Sequence, residues 1–279
     1  MHVTRRSRRT GDEDGGGLPR IDAVNRLRYA SLALPREYER SDGLQPPECS
    51  VLELIAADVR DAPILDLGVG AGRTTPYLRS LSDDYLGVDY SPTMVAVCRR
   101  RHPDARFAVL DARSLREFAT DRFGLVMFSF NGLDCIDHSD RMVVLRDVHR
   151  ILRPDGWFVF SSHNRDAPVA RYRLPPLYRS HNPARLAART GAWTTATVRA
   201  ARNRRRLRRY EYETASHAVR NDEAHEYSLL TYYVRVADQF SQLREAGFTS
   251  TPSAYALDGR CLEPGELCRD AWIYYAVRC

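Results

Sequence analysis

The chain has 279 residues, and its 42 basic side chains against 36 acidic ones give it a formal net charge of +6. All of the basic side chains are arginine, which excludes any mechanism that needs a catalytic, Schiff-base or phosphate-loop lysine. With 43% hydrophobic residues the chain can form a sizeable core, so global disorder is excluded, and no apolar run approaches the roughly 18 to 20 residues that span a bilayer. We therefore expect a cytoplasmic protein with no membrane contact.

Six cysteines are scattered along the chain without a Cys-x-x-Cys pair or a companion histidine spacing. This pattern argues against a zinc site and against a disulfide framework. We predict reduced thiols, mostly buried, and no metal site. The cysteines are Cys49, Cys98, Cys135, Cys261, Cys268 and Cys279.

Residues 1–19 are rich in arginine, then acid, then glycine, and this composition predicts a disordered tail. Apolar residues at helical spacing predict one or two short helices within 20–49, interrupted by Pro35 and Gly43. We interpret this segment as a helical arm or cap. Its Tyr29 and Tyr38 suit a lid over a ligand, although packing of an N-terminal helix explains them more simply.

Apolar strands and helix-like segments alternate regularly through residues 50–165, after a helix predicted at 51–60. Strands are predicted at 64–67, 85–88, 107–110, 125–130 and 157–161, and helices at 74–81, 92–101 and 141–152. Strands joined by helical crossovers predict an α/β fold, a doubly wound parallel sheet with helices on both faces.

Residues 166–227 break this alternation with prolines and an arginine-dense stretch, and we interpret them as a substrate-side insertion after the fifth strand. Regular structure returns over 228–279, where a helix leads into strands predicted at 253–257 and 271–277. Gly247 has the position of a glycine that ends a helix. The last segment is therefore predicted to complete the core.

The most informative string is a glycine-rich turn between the first strand and the following helix. Gly68, Gly70 and Gly72 allow the backbone to turn tightly and approach a ligand, and the helix N-terminus favours a negative group. Asp89 ends the next strand, where a carboxylate can accept hydrogen bonds from both hydroxyls of a ribose. Together these features predict nucleoside binding, and Arg73, at the place of the last glycine of the dinucleotide motif, disfavours NAD and FAD.

The string Asp66–Gly72 resembles the first motif, Asp-x-Gly-x-Gly-x-Gly, of the class I S-adenosylmethionine-dependent methyltransferases. The resemblance covers about residues 50–165 and returns in the terminal strand pair. It implies a seven-stranded Rossmann-like sheet whose last strand is antiparallel, with S-adenosyl-L-methionine as cofactor. Residues 149–157 are similar to the family's helix-turn-strand segment, with Asp155 in place of a glycine that aspartate can replace in a turn.

The resemblance implies roles around the methionine end of the cofactor. Gly68, Gly70 and Gly72 would pack under the methionine portion, and Asp66 would orient its amino-acid end. Asn131, in the segment after the fourth strand, would touch the methionine moiety and border the substrate.

The resemblance also implies contacts around the nucleoside end. Asp89 would bind the ribose hydroxyls, and Tyr90 and Met94 would flank the adenine. Asp111 would accept from the adenine amino group, with the backbone amide of Ala112 beside it.

Methyl transfer needs a base only when the acceptor atom carries a proton that must leave. His163 follows the fifth strand, at the edge that faces the substrate, and is our candidate for this base, with a structural histidine as the alternative. His138, His181, His217 and His225 are interpreted as capping, exposed or structural. Tyr232 and Tyr233 could line the pocket or belong to the core.

Residues 199–209 contain seven arginines and no acid. One interpretation is a helix that binds phosphate, nucleic acid or another polyanion. The other, which we favour, is a solvated helix paired with acidic side chains further along the chain. Those acids are Glu211, Glu213, Asp222, Glu223 and Glu226.

The sequence thus predicts an S-adenosylmethionine-dependent methyltransferase that acts on oxygen, nitrogen or carbon of a small-molecule acceptor. Two alternatives stay open. One is an RNA or other polyanion methyltransferase that uses the 199–209 helix, and the other is a non-catalytic binding protein on the same scaffold. The sequence does not specify an oligomeric state.

Overall fold

The structure is a computed structural model, and it describes residues 21–25, 43–168 and 182–279. The predicted tail, Tyr29, Tyr38 and His181 lie outside the described residues. Within the described ranges, no helix is both long enough and apolar enough to cross a membrane.

The first part of the chain follows the predicted alternation closely. A short helical stretch at 21–25 comes first. The elements that follow are α1 (Pro46–Val59), β1 (Ile64–Leu67), α2 (Thr75–Leu81), β2 (Tyr85–Asp89), α3 (Pro92–Arg101), β3 (Arg106–Val109), η1 (Ala112–Glu117), β4 (Phe123–Phe128), η2 (Gly132–Cys135), α4 (His138–Ile151) and β5 (Leu152–Asn164), where η marks a 3₁₀-helix.

The second part contains more regular structure than the sequence indicated. Its elements are α5 (Pro183–Leu207), η3 (Arg208–Tyr210), β6 (Tyr212–Glu213), β7 (His217–Arg220), α6 (Ala224–Tyr227), β8 (Thr231–Val234), α7 (Val236–Glu245), β9 (Ser253–Tyr255) and β10 (Trp272–Arg278). The described part of residues 166–227, which breaks the predicted alternation, therefore contains a long helix and two short strands.

The sheet has the predicted doubly wound order. Parallel strands run β3, β2, β1, β4, β5, and β10 then pairs antiparallel with β5 and with β9. The described residues form ten strands instead of seven, because β8, β7 and β6 extend the sheet beyond the end of β4. β8 pairs in parallel with residues 163–164 of β5, past the point where β4 stops.

Two apolar clusters cover the two faces of the sheet. Since side chains alternate along a strand, Leu65 of β1 joins one cluster and Ile64 the other. α4 and α7 pack on the first face through residues such as Leu145 and Leu243. α1, α2 and α3 cover the second face, with Ile55 among the residues buried there.

A third cluster joins the 21–25 stretch to the added strands. Ile21 packs with Leu207, Tyr232 and neighbouring apolar residues. Asn25 exchanges two hydrogen bonds with the backbone of Leu230, at 2.8 and 3.1 Å. The start of the described chain is thereby fixed to residues about 200 positions away.

Two turns follow the predicted chemistry. Asp155 adopts a left-handed conformation, with φ +65°, as a glycine would. After α7, the Gly247 N–H donates to the Arg244 carbonyl and the Phe248 N–H to the Leu243 carbonyl, the two bonds of a Schellman motif. Gly247 itself has φ +112°.

The cysteine prediction is only partly correct. All six are free thiols, but Cys98 alone is buried, Cys261 is exposed and the other four are half-buried. The prediction of mostly buried thiols is therefore wrong, because four of them lie in loops or at the ends of elements.

Candidate active site

The glycine-rich turn has the backbone conformation that its sequence predicts. Gly68, Gly70 and Gly72 have φ values of +62°, +57° and +82°. A Cβ atom on Gly68 would lie 2.7 Å from the Phe128 ring, and one on Gly72 would lie 2.8 Å from the His102 ring. Conformation and space therefore both require glycine at these two positions.

Asp89 connects the end of β2 to this turn. Its carboxylate accepts the Gly70 N–H at 3.0 Å and the Ser91 N–H at 2.8 Å. Burial raises the pKa of Asp89 above its ordinary value, although the two backbone N–H groups oppose the rise. Each carboxylate oxygen has a further lone pair, so the group can accept hydrogen bonds from a ligand.

Asp66 is wholly buried beneath the turn. It accepts the hydroxyl of Thr74 at 2.6 Å and that of Tyr85 at 2.9 Å. Burial raises its pKa to about 6. These contacts tie the end of β1 to α2 and β2.

A cavity of about 450 Å³ lies at the carboxyl ends of the parallel strands, next to the glycine turn. This volume lies within the range of small-molecule sites in proteins. Eight of the ten residues predicted to bind the cofactor line it: Asp66, Gly68, Gly70, Asp89, Tyr90, Met94, Asp111 and Ala112. The turn glycines and Asp89, together with the residues that the resemblance implied, therefore meet at this edge.

Two predicted cofactor residues do not line the cavity. Gly72 packs against His102. Asn131 donates its N–H to the Ser161 hydroxyl at 2.8 Å, whereas Ser129 and Phe130, just before it, line the cavity. A contact of Asn131 with the cofactor therefore stays a prediction.

Asp111 is held by an arginine that the sequence analysis missed. Arg113 donates to Asp111, and its guanidinium also contacts Asp22 at 2.6 Å and Asp140 at 3.0 Å. Asp22 and Asn25 line the cavity, so the 21–25 stretch forms part of its wall. No local sequence signal could have revealed these contacts between distant residues.

Arg73 and Glu48 form a second missed feature. The Arg73 guanidinium binds both carboxylate oxygens of the fully buried Glu48 at 2.6 Å. Burial alone would raise the pKa of Glu48, but hydrogen bonds and attraction from Arg73 lower it overall. Glu48 also accepts the hydroxyls of Ser129 and Tyr274. Arg73 lines the cavity. Only its position directly after the glycine turn could have indicated from the sequence that it belongs to the site.

His163 lies beside Asp134 at the end of β5. Its Nδ1 atom is 2.7 Å from the Asp134 carboxylate, which also accepts the His163 backbone N–H at 2.6 Å. Because a carboxylate only accepts, we infer that Nδ1 carries the proton and that Nε2 has the free lone pair. His163 is not among the residues that line the cavity.

A buried arginine fixes Asp134 in turn. Arg141, fully buried in α4, contacts Asp134 at 2.7 Å and the Gln239 side chain at 2.6 Å. Ser162 also donates to Asp134, at 2.6 Å. The negative charge of Asp134 is therefore balanced by Arg141, and its carboxylate is held in one position. A carboxylate fixed in this way can orient the imidazole of His163.

The other described histidines have structural contacts. His138, the first residue of α4, contacts the Tyr232 hydroxyl at 2.8 Å and stacks on His217 at 4.3 Å. Burial lowers the pKa of His217 to about 3, so it is neutral near pH 7. Tyr232 is buried, whereas Tyr233 lies beside His163. The side chain of His225 is outside the described part.

The arginine-rich helix is paired less than predicted. Arg199 contacts Glu226 at 3.0 Å, but Glu213 pairs with Arg165 and Arg220. Three arginines on the same helix have no ion pair among the described residues, namely Arg202, Arg205 and Arg206. The favoured interpretation of a solvated helix paired with nearby acids is therefore supported only for Arg199 and Glu226.

No group of three or more histidine, cysteine, aspartate or glutamate side chains within the described ranges could hold a metal ion.

Comparison with known proteins identifies relatives of the region that forms the cavity. Residues 64–156 match a family model described as a methyltransferase domain. The chain is 34% identical over 113 residues to a demethylmenaquinone methyltransferase of Beutenbergia cavernae, across 40% of this chain and 42% of that protein. It is 26% identical over 144 residues to a ubiquinone biosynthesis O-methyltransferase of Xanthomonas oryzae pv. oryzae, across 48% and 59%.

The matched region spans about half the length of these relatives. A solved structure has the same fold along nearly the whole chain. It is the 1,6-didemethyltoxoflavin-N1-methyltransferase of Burkholderia thailandensis, with bound 1,6-didemethyltoxoflavin and S-adenosylhomocysteine. The two share 16% identity with a TM-score of 0.57, over 99% of this chain and 97% of that one.

Proposed function

We propose that this chain, whose residues 64–156 match a methyltransferase domain, is a class I methyltransferase that transfers a methyl group from S-adenosylmethionine to a small-molecule acceptor. The observation that carries this proposal is the glycine turn joined to Asp89 at the mouth of the cavity. The two curated relatives, named for demethylmenaquinone and for ubiquinone biosynthesis, support an acceptor of small size.

The residues of the cavity suit the two ends of this cofactor. Asp89 would accept the ribose hydroxyls, and Tyr90 and Met94 would border the adenine beside Asp111. At the other end, the turn allows close backbone approach, and Arg73, which lines the cavity, would present its guanidinium to the methionine carboxylate. The cofactor would supply an activated methyl group, so the protein mainly has to hold acceptor and cofactor in line in a dry site.

We assign His163 as the general base for an acceptor that carries an O–H or N–H. Asp134 fixes the tautomer that leaves Nε2 able to accept the proton. The buried Asp134 carboxylate would then stabilise the imidazolium that forms.

The direct test is calorimetric titration of S-adenosylmethionine into the wild type and two variants. Asp89→Asn keeps the shape of the side chain but removes a charged acceptor, and we expect at least tenfold weaker binding, since hydrogen bonds to charged groups contribute about 1.5 to 3 kcal/mol. Asp84→Asn, at the opposite end of β2, is the matched control and should change affinity by less than about twofold. A wild type that does not bind, or equal affinity in both variants, would overturn the assignment.

A second candidate function is contact with a polyanion such as RNA. It is favoured by one observation, the unpaired arginines on one helix of the described chain. Arg202, Arg205 and Arg206 line an open groove together with Arg199 and Arg209. Guanidinium groups without acidic partners suit phosphate groups, which they can bind through two parallel hydrogen bonds.

A further inference from the structure

Three neighbouring strands place rings side by side near the cavity. His163 of β5 pairs in register with Trp272 of β10 on one side and with Tyr233 of β8 on the other. Residues that pair directly across strands project from the same face of a sheet. The centroid of the His163 ring lies 6.3 Å from that of Trp272 and 5.1 Å from that of Tyr233.

Phe130 connects these rings to the cavity. It lines the cavity and is 48% exposed, and its ring centroid is 6.3 Å from that of Trp272. Its backbone is left-handed, with φ +55°, which is unusual for a bulky residue. We call Phe130, Trp272, His163 and Tyr233 the aromatic row. It runs from the cavity wall across β10, β5 and β8.

The indole of Trp272 offers an unused donor. Its Nε1 atom is buried and has no hydrogen-bond partner among the described residues. A buried N–H without a partner costs roughly 1 to 3 kcal/mol, and tryptophan N–H groups usually find an acceptor. An oxygen or ring nitrogen of a bound molecule would satisfy it.

At the far end of the aromatic row, the lone pair on Nε2 of His163 is able to accept a proton. His163 Nε2 is 4.0 Å from the Asp222 carboxylate, which is beyond hydrogen-bond distance. The Tyr233 hydroxyl donates to Asp222. Burial raises the pKa of Tyr233 well above its ordinary value, and the Asp222 charge adds to the rise, so this hydroxyl stays protonated. Near neutral pH, Tyr233 therefore acts as a wall and a donor and does not serve as the base.

We propose that the aromatic row is the acceptor subsite and binds a planar aromatic molecule that carries both a nucleophilic O–H or N–H and a ring carbonyl or ring nitrogen. This inference rests on the proposed methyltransferase function. The ring faces of Phe130 and Trp272 would hold the plane of the acceptor, and Trp272 Nε1–H would donate to its carbonyl or ring nitrogen. A saturated alcohol or amine would leave the ring faces without a stacking partner.

Methyl transfer at this subsite would be coupled to the loss of one proton from the acceptor. The acceptor oxygen or nitrogen forms a bond to the methyl carbon while its proton passes to Nε2 of His163. The bond between that carbon and the cofactor sulfur breaks with its electron pair on sulfur, and S-adenosylhomocysteine leaves. The proton on the imidazolium is then released to solvent.

The test uses 7-hydroxycoumarin, a planar probe with a phenolic hydroxyl and a ring carbonyl. Its binding is measured by fluorescence titration in the presence of S-adenosylhomocysteine, and its methylation by the formation of 7-methoxycoumarin. Trp272→Phe keeps the ring but removes the N–H, and we expect about tenfold weaker binding from the lost hydrogen bond. The control is Trp157→Phe, which lies earlier in β5 and loses an N–H that donates to Asp58. This variant should bind the probe as tightly as the wild type.

His163→Gln separates binding from chemistry. We expect its affinity for the probe to stay within about threefold of the wild type, while methylation falls at least a hundredfold, as for the loss of a general base. Cyclohexanol should show no saturable binding.

The outcomes distinguish the inference from the function on which it rests. A protein that binds S-adenosylhomocysteine but not 7-hydroxycoumarin, or equal probe affinity in Trp272→Phe and Trp157→Phe, would overturn the acceptor subsite alone. Failure of the wild type to bind S-adenosylhomocysteine would overturn the proposed function and the inference with it.

Discussion

Asp66 shows how a single buried carboxyl near the cofactor cavity should affect stability. Its pKa is about 6 in the folded protein against an ordinary value of 3.8. Because the folded state binds this proton more tightly than the unfolded chain, the group's contribution to the free energy of unfolding is fully present below pH 3.8. It is lost as the pH rises through about 6. The full contribution is about 3 kcal/mol, and roughly 1 kcal/mol of it disappears between pH 5 and pH 7.

This pH dependence can be isolated by comparing the wild type with Asp66→Asn, which cannot titrate. In urea denaturation, we expect the stability difference between the two proteins to move by roughly 1 kcal/mol in favour of the wild type when the pH falls from 7 to 5. Asp83→Asn, at a fully exposed carboxylate, is the control and should show no such shift. An Asp66→Asn difference that is identical at both pH values would contradict the assignment.

At the residue scale, the sequence predicted the contacts that depend on local spacing. The positions of Gly68 and Asp89 at the cavity follow from their places at strand ends, whereas that of Asp111 came from the resemblance. Glu48, Asp22 and their arginine partners could not be predicted in this way. These pairs join residues that are 25 and 91 positions apart, and only the packed fold brings them together.

At the element scale, the core strands and helices were predicted within a few residues of their ends, because crossover units have strong periodic patterns. α3 begins and ends at the predicted residues. Residues 64–156 also match a methyltransferase-domain model, in agreement with the family that the glycine turn resembles. The strands β6 to β8 were missed, since they are short and follow an arginine-rich helix with no strand pattern of its own.

Two glycines test how far element ends depend on backbone conformation. Gly247→Ala forces an L side chain into φ +112° and places a Cβ atom 3.1 Å from the His149 ring, so we expect a loss of about 1 to 3 kcal/mol. Gly191→Ala lies inside α5 with no atom within 4 Å of the new Cβ, and should gain up to about 1 kcal/mol from helix propensity. Thermal unfolding monitored by circular dichroism measures both changes. If both substitutions stabilise the protein, or both destabilise it, this account is contradicted.

At the scale of the whole molecule, the net charge of +6 does not describe the core that carries the cavity. Residues 1–9 hold four arginines and residues 199–209 hold seven, with no acid in either stretch, and without these eleven charges the total is −5. This asymmetry can be read directly from the sequence. It could not show which arginines are paired, because their acidic partners are chosen by tertiary packing.

The arginine groove of α5 is the part of this charge that we expect to act on a partner. If it binds RNA, affinity for single-stranded poly(U) should fall with salt, and the slope of log affinity against log salt concentration is about −0.7 for each phosphate neutralised. Replacing Arg202, Arg205 and Arg206 by glutamine should therefore flatten that slope by about 2. The control replaces three exposed arginines elsewhere, Arg60, Arg116 and Arg269, which removes the same net charge. If both triple variants lose the same slope, binding follows the overall charge and the groove has no specific role.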